Sequence, residues 1–596
     1  MQNKTYDVVV VGLGTAGAIA LMQCAELGLS ALGIERLNQM GGTETAGGIS
    51  SYYFGSTGGV YEKVNACTEA LRSKYFIAAG SSPAAAKAIA LERMVKKSGA
   101  EFVYEARLAQ VIQNNNRICG IQYYKQGKMY TVNAKVVIDA TGEAETAKLC
   151  GCPRLKGRAF DGQYQPYTNS VFVANPAAYI ENIDAGHIDM DSNAEMSAEL
   201  LRANTLPVYL KDSYSADDKI YLANAPLPGV RESARIVGEQ TVTLEDALSG
   251  KKADNTVFYA YSNVDNHGKD VAFECETLKD WYICAGLWGV NMSVAIPMGA
   301  FIPKDTDGLL VGGRALSVTH EIASCVRMKS DMEKSGEIMA DMAYLAVQNN
   351  CSVRDVPYDR LKSMLESTGC LSEENNVGFR CRTKDGTVSA VFPRNTEELK
   401  DCLSSEQPGL GIWAARYMGD AVKDDLAGWM CEKGVLRENA AIALGLLKDD
   451  RALPVLLEMA QSRNMRIPKS SIKYVQTAGV AAVYLLGRFN DERGIHILKE
   501  IIADGGRFDR AAFKSTELYF APRDVSFQFV SNAVAALCEI AKRQSDKKEE
   551  IVRFITENII KNNRFSAVIT LKGNENTADM AEKIKAYAAW ALHIGD

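Results

Sequence analysis

No run of lysine and arginine interrupts the 596 residues, and the net charge is −6 with histidine neutral. Without a basic patch there is no electrostatic footprint for a phosphodiester backbone, so nucleic acid is not an expected partner. No apolar stretch approaches the roughly 20 residues that cross a bilayer, and no membrane partner is expected. Met1-Gln2-Asn3-Lys4-Thr5-Tyr6 runs straight into the first strand, so no signal peptide is expected. The fourteen cysteines are scattered, and several fall inside apolar helices or strands. The close pair, Cys150-Gly151-Cys152, has no second pair at zinc-like spacing. These thiols therefore read as reduced, in a cytoplasm, with neither a disulfide framework nor a metal site. A chain of this length exceeds one core, and roughly two to four domains are expected.

What is present begins at once. Asp7-Val8-Val9-Val10-Val11 has strand character, and Gly12-Leu13-Gly14-Thr15-Ala16-Gly17 follows it directly. A helical stretch runs from Ala18 to about Leu27 and stops at Gly28; Leu32-Gly33-Ile34 reads as a second strand ending in Glu35. This is a βαβ start with GxGxxG spacing. Gly12 permits the tight turn, Gly14 lets the backbone approach a pyrophosphate, and Gly17 lets helix and strand pack closely. The helix start offers N–H groups and partial positive charge to phosphates. Glu35 stands about 20 residues on, where an acid takes a ribose hydroxyl. The spacing predicts a dinucleotide; the alternative is a Gly-rich turn in an α/β domain.

A second Gly-rich loop, Gly41-Gly42-Thr43-Glu44-Thr45-Ala46-Gly47-Gly48, follows the acid. Tyr52, Tyr53, Phe54 and Gly55 then form an aromatic segment, either core aromatics beside a loop or the wall of a cofactor pocket. Ala85 to Ser98 has helical spacing. Ile118–Tyr124 and Met129–Val132 predict a hairpin around Gln126-Gly127, and Val136 to Gly142 predicts a further strand ending in Ala140-Thr141-Gly142. From 153 to about 300 the rhythm breaks into mixed strand and loop patterns. Gly308 to Arg314 is a strand entering a Gly-rich turn, and a helix is predicted from about Met328 to Val347. Gly409-Leu410-Gly411-Ile412-Trp413-Ala414 mimics a second dinucleotide loop, but Ser404-Ser405-Glu406-Gln407-Pro408 before it cannot be a buried strand. It fits better as the start of a helical array. Asn439–Leu447 before Asp449–Pro454 matches Gly479–Gly487 before Asp491–Ile495 at a register of about 42 residues, within the HEAT range. Residues 351–407 are a less regular connector, with a turn at Lys384-Asp385-Gly386-Thr387.

A Gly-Gly loop after the acid resembles FAD proteins of the glutathione-reductase-like type. Three further segments agree: Asp139-Ala140-Thr141-Gly142, Arg231 to Gly238, and Leu310 to Arg314 with Thr319-His320-Glu321 and Arg327. Over about residues 5–350 the chain resembles the bacterial FAD-dependent oxidoreductases, whose relatives include fumarate-reductase-like and glutathione-reductase-like flavoproteins. It departs at Ala234, where the family more often has Arg, and at Gly336-Glu337-Ile338-Met339-Ala340 in the closing helix. The resemblance implies an α/β fold: a Rossmann-like FAD-binding domain, an inserted α+β substrate domain and a C-terminal all-α HEAT-like array. The expected boundaries are 1–152 and 301–350 for the FAD domain, 153–300 for the insert, 351–407 for the connector and 408–596 for the array. FAD is the implied cofactor. Gly12, Gly14, Thr15, Ala16, Gly17, Glu35, Arg36, Gly41, Gly42, Thr43, Ala140, Thr141, Gly142, Gly313, Arg314 and Arg327 are its implied contacts.

Flavin chemistry needs a substrate against one ring face and a group that moves a proton. His320, just beyond the Gly312-Gly313-Arg314 turn, is the first candidate acid/base; the alternative is a histidine bonded to a backbone carbonyl. His267 in the insert either faces the same cavity or lies on a surface loop. His187, His496 and His593 read as structural or solvated. Arg231 and Arg235, four apart on a predicted helix or strand-to-helix turn, either clamp a substrate carboxylate or support charge at the flavin edge. Alternatively Glu232 pairs with Arg235 and holds the structure together. Arg327 and Lys329 have similar standing. The chain has no evident second dinucleotide domain and no Cys-x-x-Cys by these loops, which argues against a disulfide reductase. The expected activity is hydride transfer between flavin N5 and a small organic substrate. That substrate is either a hydroxylated compound such as a sugar or glycoside, or an activated C=C bond. The array is expected to take a protein partner or mediate self-association. The rival is a flavin-bound scaffold whose array is the working part.

Overall fold

The computed structural model describes residues 4–75, 83–174, 179–204, 220–383, 386–468, 476–513, 522–570 and 577–594. The chain divides into two compact units, Met1–His267 with Met292–Gly378, and Gly268–Asn291 with Phe379–Asp596.

The first unit opens with β1 (Lys4–Val11), α1 (Thr15–Glu26) and β2 (Ala31–Ile34). Helices α2 (Tyr61–Tyr75) and α3 (Pro83–Ser98) follow. Then come β3 (Glu101–Val103), β4 (Arg107–Asn114), β5 (Arg117–Lys125), β6 (Lys128–Asp139) and α4 (Glu145–Leu149). The sheet order is β3-β2-β1-β6-β5-β4, with the strand Leu309–Val311 added on β6. β1 lies parallel to both β2 and β6. Its Val8–Val11 run is buried because a central parallel strand is covered on both faces. The sequence pattern predicts two strands between Met129 and Gly142. The structure makes one, of 12 residues. Its first half pairs antiparallel with β5, and its second half lies parallel to β1 and to Leu309–Val311. The polar Asn133 between the halves stays extended because it pairs with Thr5 and Gly120.

The predicted closing helix spans Lys329–Asn349 and packs on α1. A Cβ on Gly336 would overlap the Ala16 carbonyl, so glycine is what permits this crossing. Between the two halves of the dinucleotide domain, Tyr167–Ala174 is the central strand of a three-stranded antiparallel sheet with Tyr179–Gly186 and Ile220–Asn224. Arg231 to Ala234 is not helical. It is an extended segment ending in a short strand, Arg235–Ile236, paired with Arg154–Leu155. The Ser233 hydroxyl bonds to the Gly142 carbonyl and holds it straight, so the four-residue spacing does not stack Arg231 on Arg235.

The second unit is helical. Val435–Leu446 and Leu453–Gln461 form one pair, Ala478–Leu486 and Glu492–Ala503 the next, followed by Pro522–Arg543 and Ser545–Ile555. Gly409–Met418 is a helix and not a dinucleotide loop. Strands Phe379–Thr383 and Gly386–Ser389 pair as a hairpin, and the Lys384-Asp385 turn lies outside the described residues. Residues 268–291 pack here. Trp281 is fully buried and meets Trp413 edge-to-face at 4.8 Å. The Tyr484 hydroxyl donates to Asp280 at 2.8 Å, and Lys269 and Lys583 pair with Asp524 and Asp270, both at 2.9 Å.

Candidate active site

Three glycine-bearing segments meet at the C-terminal ends of β1 and β6. The Gly12 nitrogen bonds to Ile34 O at 2.9 Å, and a Cβ on Gly12 would stand 2.8 Å from Ala140 O. A Cβ on Gly17 would overlap the Gly12 carbonyl. The Gly41 nitrogen donates to Leu13 O at 2.8 Å, and a Cβ on Gly42 would meet Gly14 Cα at 3.1 Å. Gly14 caps α1 without a side-chain bond, so the first-turn amides at Thr15–Gly17 face outward for an anion. Thr15 Oγ1 donates to Gly41 O at 3.3 Å, while the Thr43 carbonyl accepts from Ile49. Glu35 is buried and accepts from Leu13 N at 2.6 Å and Leu37 N at 2.9 Å. Burial pushes its carboxyl up, opposed by those two amides. Arg36 lies 4.0 Å from Glu145. Arg314 pairs with Glu143 at 2.9 Å and lies against Gly142, where a Cβ would meet its guanidinium. The Gly313 nitrogen bonds to Ser335 at 3.1 Å.

His320 opens the helix His320–Val326 behind the Gly313 turn. Its Nδ1 lies 2.8 Å from Glu232 Oε2, and both residues are buried. Burial raises the Glu232 carboxyl, but His320 and then Arg235 outweigh it and hold it ionised below the usual range. Gln165 N donates to Glu232 at 2.9 Å, and the Gln165 side chain reaches the His320 carbonyl at 3.2 Å. Arg235 is buried, ion-paired with Glu232, and bonded to Val318 O at 2.9 Å and Gly157 O at 3.4 Å. A guanidinium so committed cannot clamp a substrate. Of the two roles expected for Arg235, the substrate clamp is therefore set aside and the pairing with Glu232 is the one the structure makes.

A family model described as FAD dependent oxidoreductase matches residues 7–216 and 191–365, more than half of the chain. The chain belongs to this FAD-dependent oxidoreductase family. A second model, for the PBS lyase HEAT-like repeat, matches residues 436–462. Similar curated proteins are archaeal. Digeranylgeranylglycerophospholipid reductase 1 of Methanococcoides burtonii is 29% identical over 164 residues, 24% of this chain and 40% of that protein. The digeranylgeranylglycerophospholipid reductase of Methanosarcina acetivorans has the same identity and coverage. The chain thus spans about 40% of the length of these relatives. Among solved structures, a geranylgeranyl bacteriochlorophyll reductase-like protein of Thermoplasma acidophilum aligns at TM-score 0.33 and 15% identity, over 76% of this chain and 98% of that one. The flavin-dependent brominase Bmp2 aligns at TM-score 0.31 and 14% identity, over 60% of this chain and 83% of that one.

In this family member a second charged group lies in the insert. Arg231 donates to Asp184 and to Pro166 O, both at 2.6 Å. His267, at a left-handed φ of 57°, bridges Asp184 at 3.0 Å and Asp265 at 3.2 Å. Arg327 donates to Asp265 O at 2.9 Å, and its Nε is buried without a hydrogen bond. Burial and the facing Arg231 lower its guanidinium to about 10. The structure thus brings Arg231, His267 and Arg327 together around Asp184 and Asp265, while His320 sits with Glu232 and Arg235. Asp184 carries no motif in the sequence and was missed. So was a third cluster beside the Gly41–Gly48 loop, made by Glu44, Tyr52, Lys87, Lys329 and Glu333; only Tyr52 and Lys329 had any signal.

Proposed function

We propose that this chain is a cytoplasmic FAD-dependent oxidoreductase acting on a small organic substrate, either a hydroxylated compound such as a sugar or glycoside, or an activated C=C bond. The observation that carries the cofactor assignment is the set of buried polar atoms without hydrogen bonds on the converging loops. They are both oxygens of Glu44, Glu143 Oε2, Arg314 Nε and Thr319 Oγ1. Buried polar groups are rarely left unpaired, and this set fits a polar, multiply hydroxylated ligand along the Gly14, Gly42, Gly142 and Gly313 backbone. Glu35 then takes the ribose, and the first turn of α1 takes the pyrophosphate. Arg314 serves the other end. Bound FAD supplies hydride acceptance or donation at N5.

His320 is the proposed acid/base. Glu232 fixes the ring through Nδ1, and Arg235 keeps the carboxylate in register. Arg231, Arg327 and His267 form a charged wall that orients polar substrate groups. The C=C alternative has added support in the curated relatives, whose names are those of reductases. The HEAT-like array is assigned a protein partner or a second copy of the chain.

Purified protein should be yellow and release flavin on denaturation; colourless protein that added FAD leaves colourless overturns the enzyme reading. In stopped-flow flavin reduction, His320→Ala should be slower by about 10²-fold or more. An unchanged rate would remove His320 from the chemistry. Light scattering across a concentration series separates self-association from a role in binding other proteins.

A further inference from the structure

The closing helix carries Lys329 and Glu333 to a buried cluster around Glu44 that the proton transfer assigned to His320 does not use. Glu333 is fully buried; it accepts from Lys87 at 2.5 Å and from the Tyr52 hydroxyl at 2.8 Å. Glu44, 1% exposed, has Lys329 at 3.7 Å and Lys87 at 3.9 Å, and neither of its oxygens has a hydrogen bond. Asn65 Oδ1 accepts from Lys87 at 2.7 Å and lies 2.9 Å from the Tyr52 hydroxyl oxygen. The Tyr52 ring, 42% exposed, stacks 3.7 Å from the Lys329 ammonium. Tyr61 of α2 also faces Glu333. Two carboxylates and two ammonium groups are thus held out of water, with the partly exposed Tyr52 beside them.

This cluster borders the cradle. Glu44 follows Gly42, whose Cα lies against Gly14 at the start of α1. Glu35 marks the ribose end, so the Gly42–Gly48 run leads to the opposite end of a dinucleotide. We propose that Glu44, Lys87, Lys329 and Glu333 form a redox-linked proton site, loaded from solvent through Tyr52 when negative charge arrives on the bound cofactor. The inference rests on the FAD reading above. Bound FAD would supply the charge change by accepting hydride from the substrate. An O–H bond forms on Glu333 as the Tyr52 O–H breaks, and Tyr52 recovers its proton from water. Burial, and then the Glu44 charge, push the Glu333 carboxyl up to about 7 against the pull of Lys87 and Lys329. The cluster therefore changes charge without a large penalty near neutral pH.

Spectroelectrochemical titration of the FAD-loaded protein across pH tests this. The wild type should take up one more proton per two electrons just above pH 7, where Glu333 starts ionised, than well below it. Glu333→Gln should remove that extra uptake while the protein stays yellow. Glu44→Gln should shift the transition to lower pH, because the neighbouring charge is gone. Tyr52→Phe should keep the equilibrium and slow proton uptake, followed with an indicator dye, by about tenfold or more. A Glu333→Gln protein that binds FAD and keeps the extra uptake overturns the proposal, because the proton then sits elsewhere. If the variants do not fold, reduced-minus-oxidised infrared spectra of the wild type decide: a new protonated-carboxyl band is required, and its absence overturns the site. A wild type that binds no FAD overturns the functional reading itself, a result separable from either.

Discussion

Two helices show opposite ways to bury a surface. The closing helix Lys329–Asn349 puts Asp331, Glu333, Lys334, Glu337 and Asp341 at 1% exposure or less. Asp331 is matched to Ser56 N and Tyr261 N, Glu333 to Lys87, Lys334 to Ser56 Oγ and Cys370 O, and Glu337 to Val60 N, while Asp341 has Gln23 for one of its two oxygens. The array helix Glu492–Ala503 buries Ile495, Ile497, Leu498, Ile501 and Ile502 and leaves Glu492 and Arg493 in solvent. An apolar stripe accepts any neighbour of similar spacing, which is how repeats stack. A helix carrying five buried charges fits one place, because every misplacement leaves a charge unpaired in low dielectric. Specificity is thus concentrated beside the cofactor cradle, and tolerance in the array.

Breaking the specific side should have the largest effect. Gly336→Ala drives a methyl into the Ala16 carbonyl. A loss of about 3 kcal/mol or more in urea unfolding is expected, with loss of flavin retention. On the tolerant side, Trp413→Ala opens a cavity against Trp281. It should cost about 3–5 kcal/mol in the unfolding of the second unit. If Trp413→Ala proved nearly silent, the array's core would be looser than its packing implies. The smallest effect sharpens the contrast through pH. Asp341 has Gln23 as a hydrogen-bond partner at 2.9 Å, its Oδ2 is buried without one, and burial raises its carboxyl to about 7. A raised carboxyl favours the fold at low pH: its contribution is complete below the unfolded value near 3.8 and is lost as pH rises to about 7. Asp341→Asn should therefore gain stability over wild type as pH rises from about 4 to about 7, with the gain flat above. Thermal melts at several pH values read this directly, and a pH-independent difference would mean that Asp341 does not titrate as its burial requires.

The cradle was legible because glycine spacing is a local constraint. Gly12, Gly14 and Gly17 declare their contacts through what a Cβ would strike. The HEAT-like array was legible by self-similarity between Asn439–Leu447 and Gly479–Gly487. Arg231 and Arg235 do not act together because residues four apart in an extended segment stand about 13 Å apart, not one helical turn; the alternative pairing of Glu232 with Arg235 is the one the structure makes. The Asp184–His267 and Lys87–Glu333 pairs were invisible because they join residues 83 and 246 positions apart. No local pattern encodes such meetings; the sheet and the closing helix deliver them. The place of His320 after the Gly313 turn singles it out in the sequence, but its partner carboxylate reads there only as a mate for Arg235.

The packing of Trp281 in the second unit has a consequence during synthesis. Asp280 precedes its partner Tyr484 by 204 residues. At ribosomal speeds of roughly 5–20 residues per second, it waits on the order of 10–40 s for that partner to be made. Over that interval Phe273 and Trp281 are an unsatisfied apolar flag on a nascent chain whose first sheet strands have already emerged.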